Sequence, residues 1–179
     1  MLLLLSFGFA QASCPLKLDM DRIQNEMGFN QEQLISVSDI HTMVQQSKGC
    51  LTLIELWASW CGPCRQIAPE VNTIATQNEH LLVLQISSDS SSIAMRQFYK
   101  KHPPLSPAWR LESWNLEQLK GTYDLFGASF PARIPYFVLI DTDGTILLEL
   151  TEPTNLNKLQ SVLEQHQSQE KNSNTPVSK

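Results

Sequence analysis

Short, almost wholly apolar runs alternate with amphipathic stretches along most of the chain, and this alternation constrains the fold more than any other feature. Residues 51–57 (LTLIELW) and 81–86 (LLVLQI) have the length and composition of strands covered on both faces of a sheet. Between them, apolar residues recur every three or four positions from residue 63 to 78, which predicts a helix. The pattern therefore predicts helices packed against a parallel or mixed sheet.

The remaining segments continue the alternation. A strand over 33–37 precedes a helix that starts near Ser38 and Asp39, and further elements follow as helices 93–99, 115–126 and 156–166, a strand over 108–112, and a hairpin of strands 136–140 and 146–150. Together they predict one α/β domain over 33–166, with a central mixed β-sheet flanked by helices on both faces. Residues 13–32 are expected to form an N-terminal extension and residues 167–179 a flexible polar tail.

Composition excludes several classes of partner. The chain has 179 residues, 42% of them hydrophobic, which suits one compact domain with a sizeable core. Its formal net charge is −5 and it has no basic block that could follow a phosphate backbone, so nucleic acid is not expected as a partner. The four histidines show no ligand spacing, and no metal site is expected.

The first twelve residues have the character of a secretory signal peptide. A short apolar core is followed by Ala10-Gln-Ala12, the small-x-small pattern that precedes cleavage, so we expect export to the bacterial periplasm. A buried N-terminal helix or strand is the alternative. Lipid attachment at Cys14 is disfavoured because Gln11 stands where lipoproteins carry a Leu-like residue. No run in the chain, this one included, approaches the ~18 apolar residues of a membrane span.

Four cysteines fall into two kinds by their spacing. Cys61 and Cys64 form a Cys-x-x-Cys pair, whereas Cys14 and Cys50 are isolated in sequence. In an oxidising compartment Cys14 and Cys50 could form a structural disulfide, and otherwise they would be two free buried thiols. A zinc site made of all four is disfavoured, because a second close pair is missing.

The Cys-x-x-Cys pair lies where a predicted buried strand turns into a helix. Cys61 therefore falls at a helix N-terminus, where free backbone N–H groups and the helix dipole stabilise a thiolate, and it is the predicted nucleophile. Cys64 lies one turn along the same helix face and is the predicted resolving thiol. Gly62 and Pro63 shape the tight turn between them. A structural cysteine pair or half of a metal site is the alternative.

The match to a known family extends well beyond the two cysteines. Residues 51–69 (LTLIELWASWCGPCRQIAP) resemble the strand, active-site turn and kinked helix of the thioredoxin superfamily, and residues 133–141 (RIPYFVLID) resemble its cis-proline strand. This resemblance implies a thioredoxin fold with an insertion before the cis-proline strand. The length of the insertion resembles that of the exported TlpA-like branch.

The resemblance also implies roles for individual residues. Pro135 corresponds to the cis-proline beside the cysteine pair, and Ile134 precedes it in the expected substrate-binding region. Trp60 is expected on the rim that packs on substrate, and Gly62 and Pro63 are expected to bind it as well.

Glu55 is an acid within an apolar strand, where burial costs free energy unless the group is bonded or has a function. The resemblance places it where the family has an Asp that accepts the proton of the resolving cysteine. A Glu that reaches solvent at a strand end is the alternative. Trp109 and Trp114 of the inserted region could be core residues or part of a specificity surface.

The expected function is that of a thiol–disulfide oxidoreductase. The Gly-Pro dipeptide between the cysteines resembles that of reducing thioredoxins, which favours a reductase of disulfides in exported proteins, recharged by a membrane electron donor. No cofactor is expected beyond the Cys61–Cys64 redox pair. A disulfide oxidase or isomerase using the same cysteines is one alternative, and a redox-inert interaction module is another.

Overall fold

The computed structural model describes Cys14, residues 16–20, Arg22, and residues 32–151 and 156–173, with side chains described as far as residue 169. The predicted signal peptide lies outside the described residues. None of the described helices combines the length and the apolar character needed to cross a membrane.

A six-stranded mixed sheet forms the centre of the fold. Its strands are β1 (Gln33–Ile35), β2 (Thr52–Trp57), β3 (Leu82–Ser87), β4 (Trp109–Leu111), β5 (Tyr136–Ile140) and β6 (Ile146–Leu150). Their spatial order is β1-β4-β3-β2-β5-β6. The first four in that order are parallel to one another, and β5 and β6 are antiparallel to their neighbours. The central strands β2, β3 and β5 are buried along their whole length, which explains their nearly continuous apolar sequences.

Among the described residues from 32 onward, five helices accompany the sheet: α1 (Val37–Gln46), α2 (Gly62–Gln77), α3 (Ser92–Tyr99), α4 (Leu116–Leu125) and α5 (Leu156–Ser173). Helices α1 and α4 contribute to one apolar cluster, and α2 and α5 contribute to another. Side chains of β2 alternate between these clusters, because successive residues of a strand point to opposite faces. Leu53 joins the cluster of α2, whereas Ile54 and Leu56 join that of α1 and α4. The mixed sheet with helices on both faces agrees with the predicted fold class.

Two element boundaries differ from the sequence prediction. Helix α1 begins at Val37, one residue before Ser38, and Asp39 caps it: its carboxylate accepts the backbone N–H of Ser36 at 2.7 Å. Helix α5 continues past its predicted end at His166 to Ser173. Polar tertiary contacts hold this last part in place, since His166 is paired with Asp141 and the Gln167 amide donates to Asn78 Oδ1 at 2.6 Å.

The N-terminal extension is attached to the domain by a disulfide between Cys14 and Cys50. Residues 16–20 are helical, and the side chains of Leu16 and Met20 pack against the cluster formed by α1 and α4. Both cysteines are buried in that cluster. The link therefore ties the extension to the residues immediately before β2.

Candidate active site

The cysteine pair stands at the junction of β2 and α2. Cys61 is the N-cap residue of α2 and forms a disulfide with Cys64, and its sulfur accepts the backbone N–H of Cys64 at 3.1 Å. Cys64 is 1% exposed and Cys61 5%, so attack from solvent is easier at Cys61. After reduction, the same N–H group and the helix dipole would stabilise a Cys61 thiolate. Gly62 and Pro63 form the exposed first turn of α2.

A buried carboxylate holds the loop that leads into this junction. Asp89 accepts hydrogen bonds from the Ser59 backbone N–H at 2.9 Å and from the Ser59 hydroxyl at 2.6 Å. The Ser87 hydroxyl donates to the same carboxylate at 2.7 Å. This role of Asp89 was not predicted from the sequence. The available signal was an acid two residues after the end of a buried strand.

Tryptophans of the motif separate into core and surface. Trp57 is buried and packs its ring against Phe98 and Tyr99 of α3, with centroid distances of 4.8 and 5.3 Å. Trp60, next to Cys61, is 66% exposed. The two tryptophans of the inserted region also differ in exposure: Trp109 is buried in β4, whereas Trp114 is exposed. Trp60 and Trp114 are therefore the two tryptophans available to a partner molecule.

Glu55 is buried in the middle of the sheet at 3% exposure, which excludes the alternative of a carboxylate that reaches solvent. It is on the face of β2 that it shares with Leu53 and Trp57, because side chains of a strand alternate. Desolvation raises its pKa from 4.5 to about 7, and a hydrogen bond from Gln85 opposes this increase. A carboxyl group with this pKa can both accept and release a proton near neutrality.

Gln85 on β3 is the partner of Glu55 and was not identified from the sequence. Its Nε2 donates to Glu55 Oε2 at 2.7 Å, and its Oε1 accepts the backbone N–H of Leu105 at 2.8 Å. Its own backbone N–H donates to the Ser106 hydroxyl at 3.1 Å. Gln85 therefore fixes one Glu55 oxygen and ties it to the loop before β4.

The segment before β5 completes the site. The Ile134–Pro135 peptide bond is cis, and Ile134 packs against the apolar cluster that contains Cys61 and Cys64. The next residue, Tyr136, anchors the segment, since its hydroxyl contacts the Ser129 carbonyl and the Glu149 carboxylate. Burial, followed by the contact with Glu149, raises the pKa of Tyr136, so this hydroxyl stays protonated.

A groove of about 550 Å³ lies beside the cysteine pair, and we call it the tryptophan groove. Its lining comprises Trp60, Ser88, Ser90, Trp114, Ala132, Arg133 and Ile134. It brings the two exposed tryptophans together with the residue that precedes the cis-proline. Trp114 and Arg133 were not among the predicted site residues.

The second disulfide belongs to a different part of the molecule. Cys14 and Cys50 lie in the core cluster of α1 and α4, whereas Cys61 and Cys64 lie in a separate cluster with Trp57. Within the described part of the chain, no group of three or more His, Cys, Asp or Glu side chains is arranged to hold a metal ion.

Comparisons with known proteins agree with this geometry. The thioredoxin family model matches residues 33–105. Thioredoxin 1 of Synechococcus elongatus is 38% identical over 47 residues, which cover 26% of this chain and 44% of that protein. Thioredoxin C-3 of Corynebacterium nephridii is 41% identical over 39 residues, which cover 22% of this chain and 27% of that protein. The chain thus spans less than half the length of these curated relatives.

Solved structures extend the likeness over most of the domain. A thioredoxin-related protein from Neisseria meningitidis superposes with a TM-score of 0.54 at 24% identity, covering 69% of this chain and 90% of that one. A secreted Mycobacterium tuberculosis disulfide oxidoreductase homologous to E. coli DsbE has a TM-score of 0.50 at 21% identity, covering 65% and 82%. At these identities the likeness concerns the fold.

The fold and the site together define a thioredoxin-like domain with a Cys-Gly-Pro-Cys pair at the start of a helix and a cis-proline beside it. Residues 33–105 thus match the thioredoxin family model, and the domain that contains them has the thioredoxin fold.

Proposed function

We propose that the protein is a thiol–disulfide oxidoreductase that reduces disulfide bonds in exported proteins. The observation that carries the proposal is the Cys61–Cys64 pair at the N-terminus of α2, with buried Glu55 on β2 and the cis Ile134–Pro135 bond in the same domain. A pair that served only to stabilise the fold would need neither an ionisable carboxyl buried in the adjoining strand nor an open groove beside it.

The reaction uses the two sulfur atoms and no added cofactor. In the reduced protein the Cys61 thiolate attacks one sulfur of the substrate disulfide, and the other substrate sulfur leaves as a thiolate that takes up a proton. Cys64 then loses its proton and attacks Cys61 Sγ, which releases the second substrate sulfur as a thiol. Two electrons have passed to the substrate, and the protein is left with the Cys61–Cys64 disulfide.

Glu55 is the proposed acceptor of the Cys64 proton. Because its pKa is about 7, a substantial fraction is ionised at neutral pH and can take a proton from a thiol. Gln85 holds one carboxylate oxygen at 2.7 Å, which leaves the other available to a water molecule or a thiol. The protonated form then returns the proton to solvent or to a leaving thiolate.

The tryptophan groove is the proposed binding site for the substrate chain around its disulfide. Trp60 adjoins Cys61, and Ile134 precedes the cis-proline, so a polypeptide in the groove would bring its disulfide to the nucleophile. Trp114 supplies a second aromatic surface from the inserted region, and aromatic anchors of this kind dominate the energetics of many interfaces.

The reducing direction and the exported location form the finer part of the proposal. The Gly62-Pro63 dipeptide is that of reducing thioredoxins, whose potential is about −270 mV. The Cys14–Cys50 disulfide supports an oxidising compartment, where such links persist, and the bacterial periplasm is the location we propose. A reductase in that compartment needs a source of electrons, and a membrane electron donor is the proposed partner.

Two measurements on the full-length chain test the function. The reduction potential of the Cys61–Cys64 couple, obtained by equilibration in dithiothreitol or glutathione buffers, should fall below about −230 mV. A value above about −180 mV would instead make the protein an oxidase or isomerase. Cys64→Ser should accumulate mixed disulfides with client proteins through Cys61, whereas Cys61→Ser should not. Equal trapping by both variants would contradict the assigned roles.

A further inference from the structure

A second groove, which we call the basic groove, also borders the cysteine pair. It has a volume of about 490 Å³, and its lining comprises Ser59, Arg65, Ala94, Gln97, Phe98, Lys100, Lys101 and His102. Ser59 belongs to the loop before Cys61, and the backbone N–H of Arg65 donates to the Cys61 carbonyl at 3.1 Å. One end of the groove is therefore built from the active-site turn itself.

The groove concentrates positive charge in a protein that is negative overall. Arg65, Lys100 and Lys101 are exposed, and none of their side chains forms an ion pair or hydrogen bond with another residue in the described part of the chain. No Asp or Glu is among the lining residues. The formal net charge of the chain is −5, so the charge of this cluster is opposite in sign to that of the protein as a whole.

Packing of α3 fixes these cations relative to the cysteines. Phe98 and Tyr99, at the end of α3, pack their rings on Trp57 of the active-site strand. Lys100 and Lys101 follow directly, and the His102 ring stacks on Phe98 at 4.6 Å. Phe98 thus both lines the basic groove and packs against the apolar cluster that contains the cysteine pair.

We propose that the basic groove binds an acidic segment of the polypeptide whose disulfide Cys61 attacks. Carboxylates of such a segment would pair with the ammonium groups of Lys100 and Lys101 and with the Arg65 guanidinium, while the substrate disulfide lies at Cys61. This inference rests on the proposed function and adds a substrate class to it. An acidic polypeptide is favoured over a nucleic acid because the groove opens at a site that exchanges protein disulfides.

Two other roles for these cations need to be separated from docking. Lys100 and Lys101 follow the C-terminus of α3, where positive charge stabilises a helix. Positive charge near Cys61 can also stabilise its thiolate directly. The first role affects stability, and the second affects every substrate alike. Only docking makes the effect depend on the charge of the substrate.

The test compares two disulfide-bridged peptides that differ only by Glu→Gln changes flanking the disulfide. At low ionic strength the wild-type protein should reduce the acidic peptide with a kcat/KM roughly ten-fold above that of the neutral peptide. Lys100→Gln/Lys101→Gln should lower this ratio several-fold, through a loss of kcat/KM that is larger for the acidic peptide than for the neutral one. The matched control, Lys120→Gln/Lys158→Gln, removes the same charge from α4 and α5 and should keep the ratio.

A binding measurement tests the groove without chemistry. A fluorescent, cysteine-free acidic peptide should bind the oxidised protein, lose affinity as salt is added, and bind the Lys100/Lys101 variant several-fold more weakly. If the acidic peptide binds in this way but neither disulfide peptide is reduced, the proposed oxidoreductase function is wrong, whereas the basic groove is still a binding site for acidic peptides.

Any one of three kinetic results would overturn the docking proposal. The first is a wild-type kcat/KM ratio of acidic to neutral peptide near one. The second is an equal loss of kcat/KM for both peptides in the Lys100/Lys101 variant. The third is a fall of the ratio in the Lys120/Lys158 control as large as that in the Lys100/Lys101 variant. Tighter binding of a single-stranded oligonucleotide than of the acidic peptide would also contradict it.

Discussion

Replacing Glu55 with Gln should stabilise the oxidised protein at high pH and change its stability little at low pH. The carboxyl pKa rises from its ordinary value of 4.5 to about 7 in the fold. At about 1.36 kcal/mol per pKa unit, a buried Glu55 carboxylate lowers the free energy of unfolding by about 3 kcal/mol. Gln keeps an oxygen that can accept the hydrogen bond from Gln85 Nε2 and carries no charge.

The sign follows from proton binding in the two states. Below pH 4.5 the carboxyl is protonated in both the folded and the unfolded chain, so burial of a charge costs nothing. Between pH 4.5 and 7 the unfolded chain loses this proton while the folded chain retains it, so stability falls as pH rises. Above pH 7 the folded protein is ionised as well, and the penalty stays constant.

Urea unfolding of the oxidised protein at pH 4 and pH 8 measures the effect. The difference in unfolding free energy between Glu55→Gln and wild type should be about 3 kcal/mol larger at pH 8 than at pH 4. Other titrating groups are common to both proteins and cancel in this comparison. Glu70→Gln, which removes an exposed carboxyl from α2, is the control and should change stability little at either pH. A pH-independent difference for Glu55→Gln would refute a desolvated Glu55.

Three further predictions concern the loop, the second disulfide and the groove. Asp89→Asn should lower the unfolding free energy by about 2 kcal/mol, because the carboxylate accepts both Ser59 donors, and denaturant unfolding checks this. Replacing Cys14 and Cys50 together by Ser should cost about 4 kcal/mol for the 36-residue separation, with the Cys61–Cys64 potential unchanged. Trp114→Ala should raise the KM for a disulfide-bridged peptide about ten-fold while leaving reduction of a small aromatic disulfide unchanged. An equal loss with both substrates would show that Trp114 supports the fold and does not contact the peptide.

Most of the strands and helices could be predicted from the sequence, because apolar runs and apolar periodicity are properties of neighbouring residues. The apolar runs at 51–57 and 81–86 and the three-and-four spacing after Pro63 encode strands and a helix directly, and the structure has these elements within a residue or two. The end of α5 was placed too early, because residues 167–173 carry little apolar periodicity. Contacts such as that between Gln167 and Asn78 join parts of the chain that are far apart in sequence.

Features of the site likewise fall into those that the sequence predicts and those that depend on tertiary contacts. The position of Cys61 at a helix N-terminus could be predicted from the sequence, because it depends only on the helix that this residue starts. The roles of Gln85 and Asp89 could not, since each bonds to a residue 30 positions away. Strand pairing alone sets Gln85 beside Glu55.

What the sequence by itself determined about this protein is its class of elements, its cysteine pair and the presence of an acid in the apolar strand before that pair. Those properties depend on residue type, periodicity and neighbours along the chain. Tertiary structure alone decided which of Trp109 and Trp114 is exposed, which residues line the two grooves near Cys61 and where the positive charge of Arg65, Lys100 and Lys101 collects. These surfaces form only when separate elements pack against each other, so no local pattern encodes them.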